Sequence, residues 1–312
     1  MGSVIVRKEL VGASVNLGGA PIDLTDYATT GLRMVAIGPS GSGKTNAGLL
    51  VCEQLVAQGW VAVMVDPEGE IASLYGEAVK SPEDLTEAIM NRSKPFIVVE
   101  ARDPSEFVAY GRAIMRACDA KREPVIVMMD EGQLFSASRK RKNDVGEASD
   151  LVNDFAERGR KRALDLFVTT HRYTNSLNRS VYGNKNLTLV GVQEDPLVWS
   201  ALAPQFRSHH IAYADLAALS TGEFFCFSRR GLDKFRLPLS KAMSKVALPA
   251  RAVRQSLPTN FSQWDRAMSA MPTKQLEGLT EPVIHLLATL SGLTMAQIAA
   301  GRRALEDERA AR

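Results

Sequence analysis

Cysteine is scarce. The 312-residue chain has three, Cys52, Cys118 and Cys226, too far apart for metal-ligand spacing and odd in number. That excludes a disulfide-stapled secreted scaffold and leads us to expect a reduced, cytoplasmic protein with buried thiols. Long apolar runs are missing too. None reaches the roughly 18 residues that span a bilayer, so no membrane partner is expected. The opening MGSVIVRKEL lacks the apolar stretch of a signal peptide. Charge of one sign is not in excess: 38 Lys and Arg against 35 Asp and Glu leave +3, too little by itself to announce a nucleic-acid partner. Aromatics make up only 6% and do not interleave with the basic runs, which argues against a single-strand stacking platform. Internal repeats and low-complexity segments are absent. With 45% apolar and 23% charged residues the chain reads as a soluble globular protein, one large domain or a main domain with an appendage.

What is present is alternation. Between about Leu32 and Val192, short β-rich apolar runs (RMVAIG, WVAVMVD, PFIVVE, PVIVMMD, DLFVTT, NLTLVGV) alternate with helical patterns. This predicts an α/β fold, a parallel sheet with helices on both faces. Leu151, Val152 and Phe155 mark one buried helical stripe. Residues 1–30 read as a β-rich N-terminal segment, with a hairpin expected in VRKELVGASVNLGG, and residues 31–240 as the main domain. Within it, GEFFCFSRRGLDKFRLPL is expected to form an edge hairpin turning at Arg230-Gly231. Residues 241–312 read as a linker and helical appendage, with Val283, Leu286, Leu287 and Leu290 on one apolar face and a capping box from Thr294 to Gln297.

GPSGSGKT, Gly38 to Thr45, matches G-x-x-x-x-G-K-[ST] and falls between an apolar strand and a helix. Gly38, Gly41 and Gly43 let backbone N–H groups turn inward on phosphates, and the helix N-terminus adds its dipole. Ser40, Ser42 and Lys44 complete the cradle, with Lys44 reaching the β- and γ-phosphates of ATP. Thr45 would place its hydroxyl on Mg²⁺. PVIVMMDEGQLF supplies the partner element. Asp130 emerges where open α/β sheets bind ligands and would hold the Mg²⁺, while Glu131 would polarise an attacking water. An adjacent acid favours hydrolysis over transfer to an acceptor. Asp66, Glu68 and Glu70 follow the second strand on a Pro-Gly turn, either as a surface turn or as part of the site.

In their order these pieces resemble the FtsK–HerA superfamily of DNA-pumping ATPases, the HerA branch most closely. The resemblance runs from about Asn16 to Phe227 through GPSGSGKT, DPEGE, MMDEGQLF, ERGRKRALDLFVTTHR and NLTLVGVQEDPLVWSAL. It implies a RecA-like P-loop domain in a ring, expected to be a hexamer, that threads duplex DNA and hydrolyses ATP between subunits. It also implies that the DLFVTT strand lies between the phosphate-loop strand and the Asp-Glu strand, so that its tip senses the γ-phosphate. His171 stands there in place of the family's Gln, and Tyr173 in place of the following Pro. Arg160 falls where the family carries an Arg that acts on the neighbouring subunit's nucleotide. The bland alternatives are a helix C-terminus that favours bases and a hydrogen-bonded strand-end His. Arg139, Lys140, Arg141 and Lys142 form either a DNA-tracking loop or a solvated one. The implied settings are viral genome packaging, end processing with a nuclease, or DNA transfer. The alternative function is a nucleotide-gated assembly or regulatory ATPase that does not move DNA.

Overall fold

The computed structural model describes residues 6–136, 144–171 and 177–246. At its centre are strands β3 (Arg33–Ile37), β4 (Val61–Asp66), β5 (Phe96–Glu100), β6 (Val125–Met129), β7 (Leu164–Thr170) and β8 (Leu187–Val190). They pair in parallel, and β9 (Glu223–Ser228) and β10 (Gly231–Arg236) extend the sheet antiparallel at the β8 side. The strand order is β10-β9-β8-β3-β7-β6-β4-β5. β7 therefore lies between the phosphate-loop strand and the Asp-Glu strand, as the resemblance implied.

Near-continuous apolar runs form these strands because both faces of the sheet are covered. Along β3, Val35 and Ile37 enter one core, while Met34 and Ala36 enter the other, the period-two alternation of a strand. The first core holds α3 (Pro82–Asn91), α4 (Pro104–Lys121), α5 (Asp144–Arg158), α6 (Arg179–Asn184), α7 (Pro196–Arg207) and α8 (Tyr213–Ala217). The second holds α1 (Lys44–Val56), with α2 (Ala72–Tyr75) and α9 (Lys241–Val246) packed at its margin. α1 lies close on the sheet: a Cβ at Gly48 would stand 2.5 Å from Met128 Cε. The expected stripe of α5 is present, with Val152 and Phe155 buried. Several helix starts are written in the sequence. Ser81, Asp103 and Asp195 accept backbone N–H bonds as N-caps, each followed by Pro at the first helical position.

The N-terminal hairpin is smaller and shifted. β1 (Ser14–Val15) pairs with β2 (Ile22–Asp23), so the partner strand lies beyond the stretch read from sequence. The rest is mostly turns and single 3-10 turns, and Leu10, Val15, Leu17, Leu24 and Tyr27 pack into the α1 core. These residues gain their order from that core rather than from long strand pairing. The edge hairpin is present, but Ser228 pairs with Gly231, so the turn residues are Arg229 and Arg230, one position earlier than expected. The described residues up to Lys245 form one compact unit. The basic loop Arg139 to Lys142, Tyr173 and the C-terminal helices lie outside the described residues. The three cysteines are buried free thiols, and burial pushes Cys118 and Cys226 up to about 12, so they act as core residues. Among the described residues, no helix is long and apolar enough to cross a membrane.

Candidate active site

Four strands of the parallel sheet deliver their C-terminal ends to one cleft of about 690 Å³. After β3 the chain enters the loop Gly38 to Gly43, where Gly38 N–H donates to Thr170 O at 3.2 Å and ties the loop to the β7 tip. Gly41 (φ +75°) and Gly43 (φ +99°) adopt left-handed backbone that a side chain would strain. The loop then opens directly into α1, whose first residues are Lys44 and Thr45. Ser40, Gly41, Gly43, Lys44 and Thr45 line the cleft, while Ser42 is buried behind it.

The charged groups hold one another. Lys44 Nζ donates to Pro39 O at 2.9 Å and lies 3.3 Å from His171 Nδ1. Burial lowers the Lys44 pKa, and the nearby carboxylates of Glu131 and Asp130 oppose that shift. On the other side of the imidazole, His171 Nε2 is 2.7 Å from Glu131 Oε1. Gln133 Nε2 donates to the second oxygen of Glu131. Thr45 Oγ1 donates to Asp130 Oδ2 at 3.0 Å, and Thr169 Oγ1 donates to Asp130 Oδ1 at 2.6 Å. Burial raises the Asp130 pKa, offset in part by these two hydroxyls and by Lys44. A half-buried carboxylate beside a hydroxyl is an oxygen donor set that suits a hard divalent cation such as Mg²⁺.

Glu131 is held by its backbone as well. It sits in the left-handed region (φ +48°), unusual for a residue with a side chain, and its N–H donates to Thr169 Oγ1 at 3.0 Å. The following residue has to be glycine, because a Cβ at Gly132 would fall 2.2 Å from Val168 Cγ1. Strained backbone of this kind is kept where a side chain must be aimed.

Among solved structures, the genome packaging NTPase B204 from Sulfolobus turreted icosahedral virus 2, in complex with ATP-gammaS, matches with a TM-score of 0.54 and 18% identity. That match covers 66% of this chain and 98% of B204. B204 from Sulfolobus Turreted Icosahedral Virus, described as a DNA-packaging ATPase, gives a TM-score of 0.51 at 16% identity over 66% of this chain and 97% of its own. EccC from Thermomonospora curvata (ATPases 2 and 3) gives 0.50 at 11% identity, over 77% of this chain and 44% of EccC. No family profile and no curated protein matches the chain. At these identities the likeness speaks for architecture. The chain has the P-loop ATPase fold.

In that fold the sequence-predicted residues separate into two places. Lys44, Thr45, Asp130, Glu131 and His171 converge in the cleft. Arg160 does not. It lies in a 3-10 turn, Gly159–Arg162, ahead of β7, whereas His171 follows the strand's far end. The seven residues of β7 at about 3.3 Å each put roughly 20 Å between its ends, beyond the reach of any side chain. Arg160 instead donates from Nη1 to Thr29 O at 2.6 Å.

The acidic turn after β4 divides as well. Asp66 is buried and accepts from Gly69 N at 3.0 Å, Ile71 N at 2.6 Å and Ala72 N at 3.2 Å, so it builds the turn. Glu68 and Glu70, held out by that turn, line the cleft. Sequence reasoning did not assign Thr169, Gln133, Asn46 or Met243. A signal existed for Thr169 alone: a pair of threonines closing a buried strand.

Proposed function

We propose that this chain is an ATP-hydrolysing motor that moves duplex DNA, working as a ring of copies, a hexamer by family resemblance, with ATP held between neighbours. The observation that carries the reading is the convergence of Lys44, Thr45, Asp130, Glu131 and His171 at the strand ends beneath a glycine-rich loop. The N–H groups of that loop and Lys44 would hold the phosphates of ATP. Thr45 and Asp130 would hold Mg²⁺, which when bound supplies charge that neutralises phosphate oxygens. Glu131 is the general base for water. Its oxygens are held by His171 and Gln133, one contact each, and the lone pairs that remain can take the proton of the water. His171 touches both Lys44 and Glu131, so a phosphate that draws Lys44 away would also disturb the base.

Arg160 is assigned to the nucleotide of a neighbouring copy. The family resemblance supports this assignment, as does its distance from its own cleft, and a positioned Arg contributes roughly 10³–10⁵ in rate in other nucleotide hydrolases. Duplex DNA as the track rests on the FtsK–HerA resemblance, and genome packaging as the setting rests on fold analogy with B204. End processing with a nuclease and DNA transfer are the other settings the resemblance allows. The test is ATP turnover with and without duplex DNA, with particles imaged in parallel. DNA-stimulated turnover by closed rings is expected. Turnover indifferent to DNA, without rings, would leave a nucleotide-gated assembly factor instead.

A further inference from the structure

The string Glu157 to Arg162 looks uniform in sequence, yet its bases differ in what they touch. Arg158 pairs with Asp154 at 3.2 Å and Arg162 with Asp119 at 2.8 Å. Arg160 and Lys161 have no carboxylate partner among the described residues. Together with Glu157 these residues line a shallow basin of about 350 Å³.

A further cation belongs to this end of the sheet. Arg33 opens β3, paired across from Leu166 of the neighbouring β7. Its guanidinium makes no hydrogen bond or ion pair among the described residues, although the residue is partly buried. Burial and the like charges of Arg160 and Arg7 hold its pKa below the usual value, and Asp165 offsets this only in part. Asp165 is already occupied, accepting from Arg7 at 2.9 Å, Leu32 N at 2.9 Å and Trp60 Nε1 at 2.9 Å. Gly31 bridges the group: the place where its side chain would begin is 3.6 Å from Arg160 Cβ, Arg7 Nη1 and Asp165 Oδ1. With Asp165 taken up by Arg7, Leu32 N–H and Trp60, Arg33 and Arg160 stand at the same end of the sheet without a carboxylate of their own, and an arriving anion would find both free to pair.

We propose that Arg33 joins Arg160 in a two-arginine site that takes the polyphosphate of a nucleotide bound in the cleft of a second copy of this chain. The site is incomplete in one copy, because β3 carries the phosphate loop at one end and Arg33 at the other. Copies stacked head to tail would bring Arg33 and Arg160 of one against the cleft of the next, a heterologous contact that closes into a ring. This inference rests on the proposed function.

The test compares wild type, Arg33→Gln, Arg33→Lys and Arg160→Ala for three quantities. These are binding of a fluorescent ATP analogue at dilutions where chains are separate, association driven by ATP-gammaS in sedimentation, and ATP turnover. For Arg33→Gln we expect unchanged analogue binding, about tenfold or more ATP-gammaS needed for association, and turnover lowered by a similar factor, with Arg33→Lys recovering part of each. Wild-type association and turnover in Arg33→Gln, with turnover lost in Arg160→Ala, would overturn the inference and leave the proposed function standing. Weaker analogue binding by the separate chain, or a lower melting temperature, would make Arg33 a structural residue and overturn it as well. Reduced affinity for duplex DNA with association intact would assign the edge to DNA, also against the proposal. Wild type that neither associates nor hydrolyses would instead sink the proposed function itself.

Discussion

β7 joins two polar regions of opposite character. At its start, Asp165 is fully buried and saturated by Arg7, Leu32 N–H and Trp60 Nε1, with every donor supplied by the fold. At its tip, His171, Glu131 and Lys44 satisfy one another in an open cleft. The first network has nowhere to go: removing a partner leaves a charge in the core. The second can exchange partners with a ligand, because Lys44 Nζ and both Glu131 oxygens meet groups that a phosphate or water can replace. Buried and complete means structure; shared and replaceable means chemistry.

The largest expected effect breaks the tip alone. Glu131→Gln should keep nucleotide binding and lower turnover by about 10²–10⁴-fold, measured as steady-state ATPase against analogue binding. A parallel loss of binding would mean that Glu131 holds the loop together rather than acting on water. At the start of the strand, Asp165→Ala should cost about 3–5 kcal/mol of folding stability, because it leaves Leu32 N–H and Trp60 Nε1 without that acceptor and Arg7 with Glu9 as its one carboxylate, and denaturant unfolding reads it. A loss near zero would mean that the N-terminal segment docks without this ion pair.

Smaller effects sharpen the contrast. Asp103→Ala removes an N-cap of α4, remote from both regions, and should lower the melting temperature slightly with turnover unchanged. Asp130→Asn, read for stability alone, should slightly raise the melting temperature without nucleotide at neutral pH. The sign follows from burial, which raises the folded-state pKa of Asp130. Stability is therefore lost as pH rises from the ordinary carboxylate range through that raised value. The amide escapes the loss and can still bond Thr45 and Thr169. The gain over wild type should vanish at acid pH, where both folded and unfolded carboxylates are protonated.

Much of this was legible in the sequence, for physical reasons. The parallel strands are apolar on both faces, and each of the six central strands appears where its run predicts. The phosphate loop was legible because its glycines, lysine and threonine have fixed jobs at fixed spacing. Asp66 was ambiguous: an acid on a turn looks the same whether it binds three backbone amides or a ligand, and only folding brings Gly69, Ile71 and Ala72 to it. The N-terminal hairpin was misplaced because its residues are ordered by burial against α1, a long-range contact with no local period. Gln133 escaped notice because its role depends on Glu131 turning left-handed, which no sequence pattern states. Asp165 was hidden within a strand read for its apolar residues.

In the proposed ring the two ends of β7 act in one site built from two copies. The most direct measurement mixes Arg160→Ala chains, which keep an intact cleft, with Glu131→Gln chains, which keep an intact Arg160. Each alone should be nearly inactive, and the mixture should recover ATP turnover, as a Glu131→Gln copy lends its arginine to an Arg160→Ala cleft. A mixture no more active than its separate components, with both proteins folded and associating, would contradict the account.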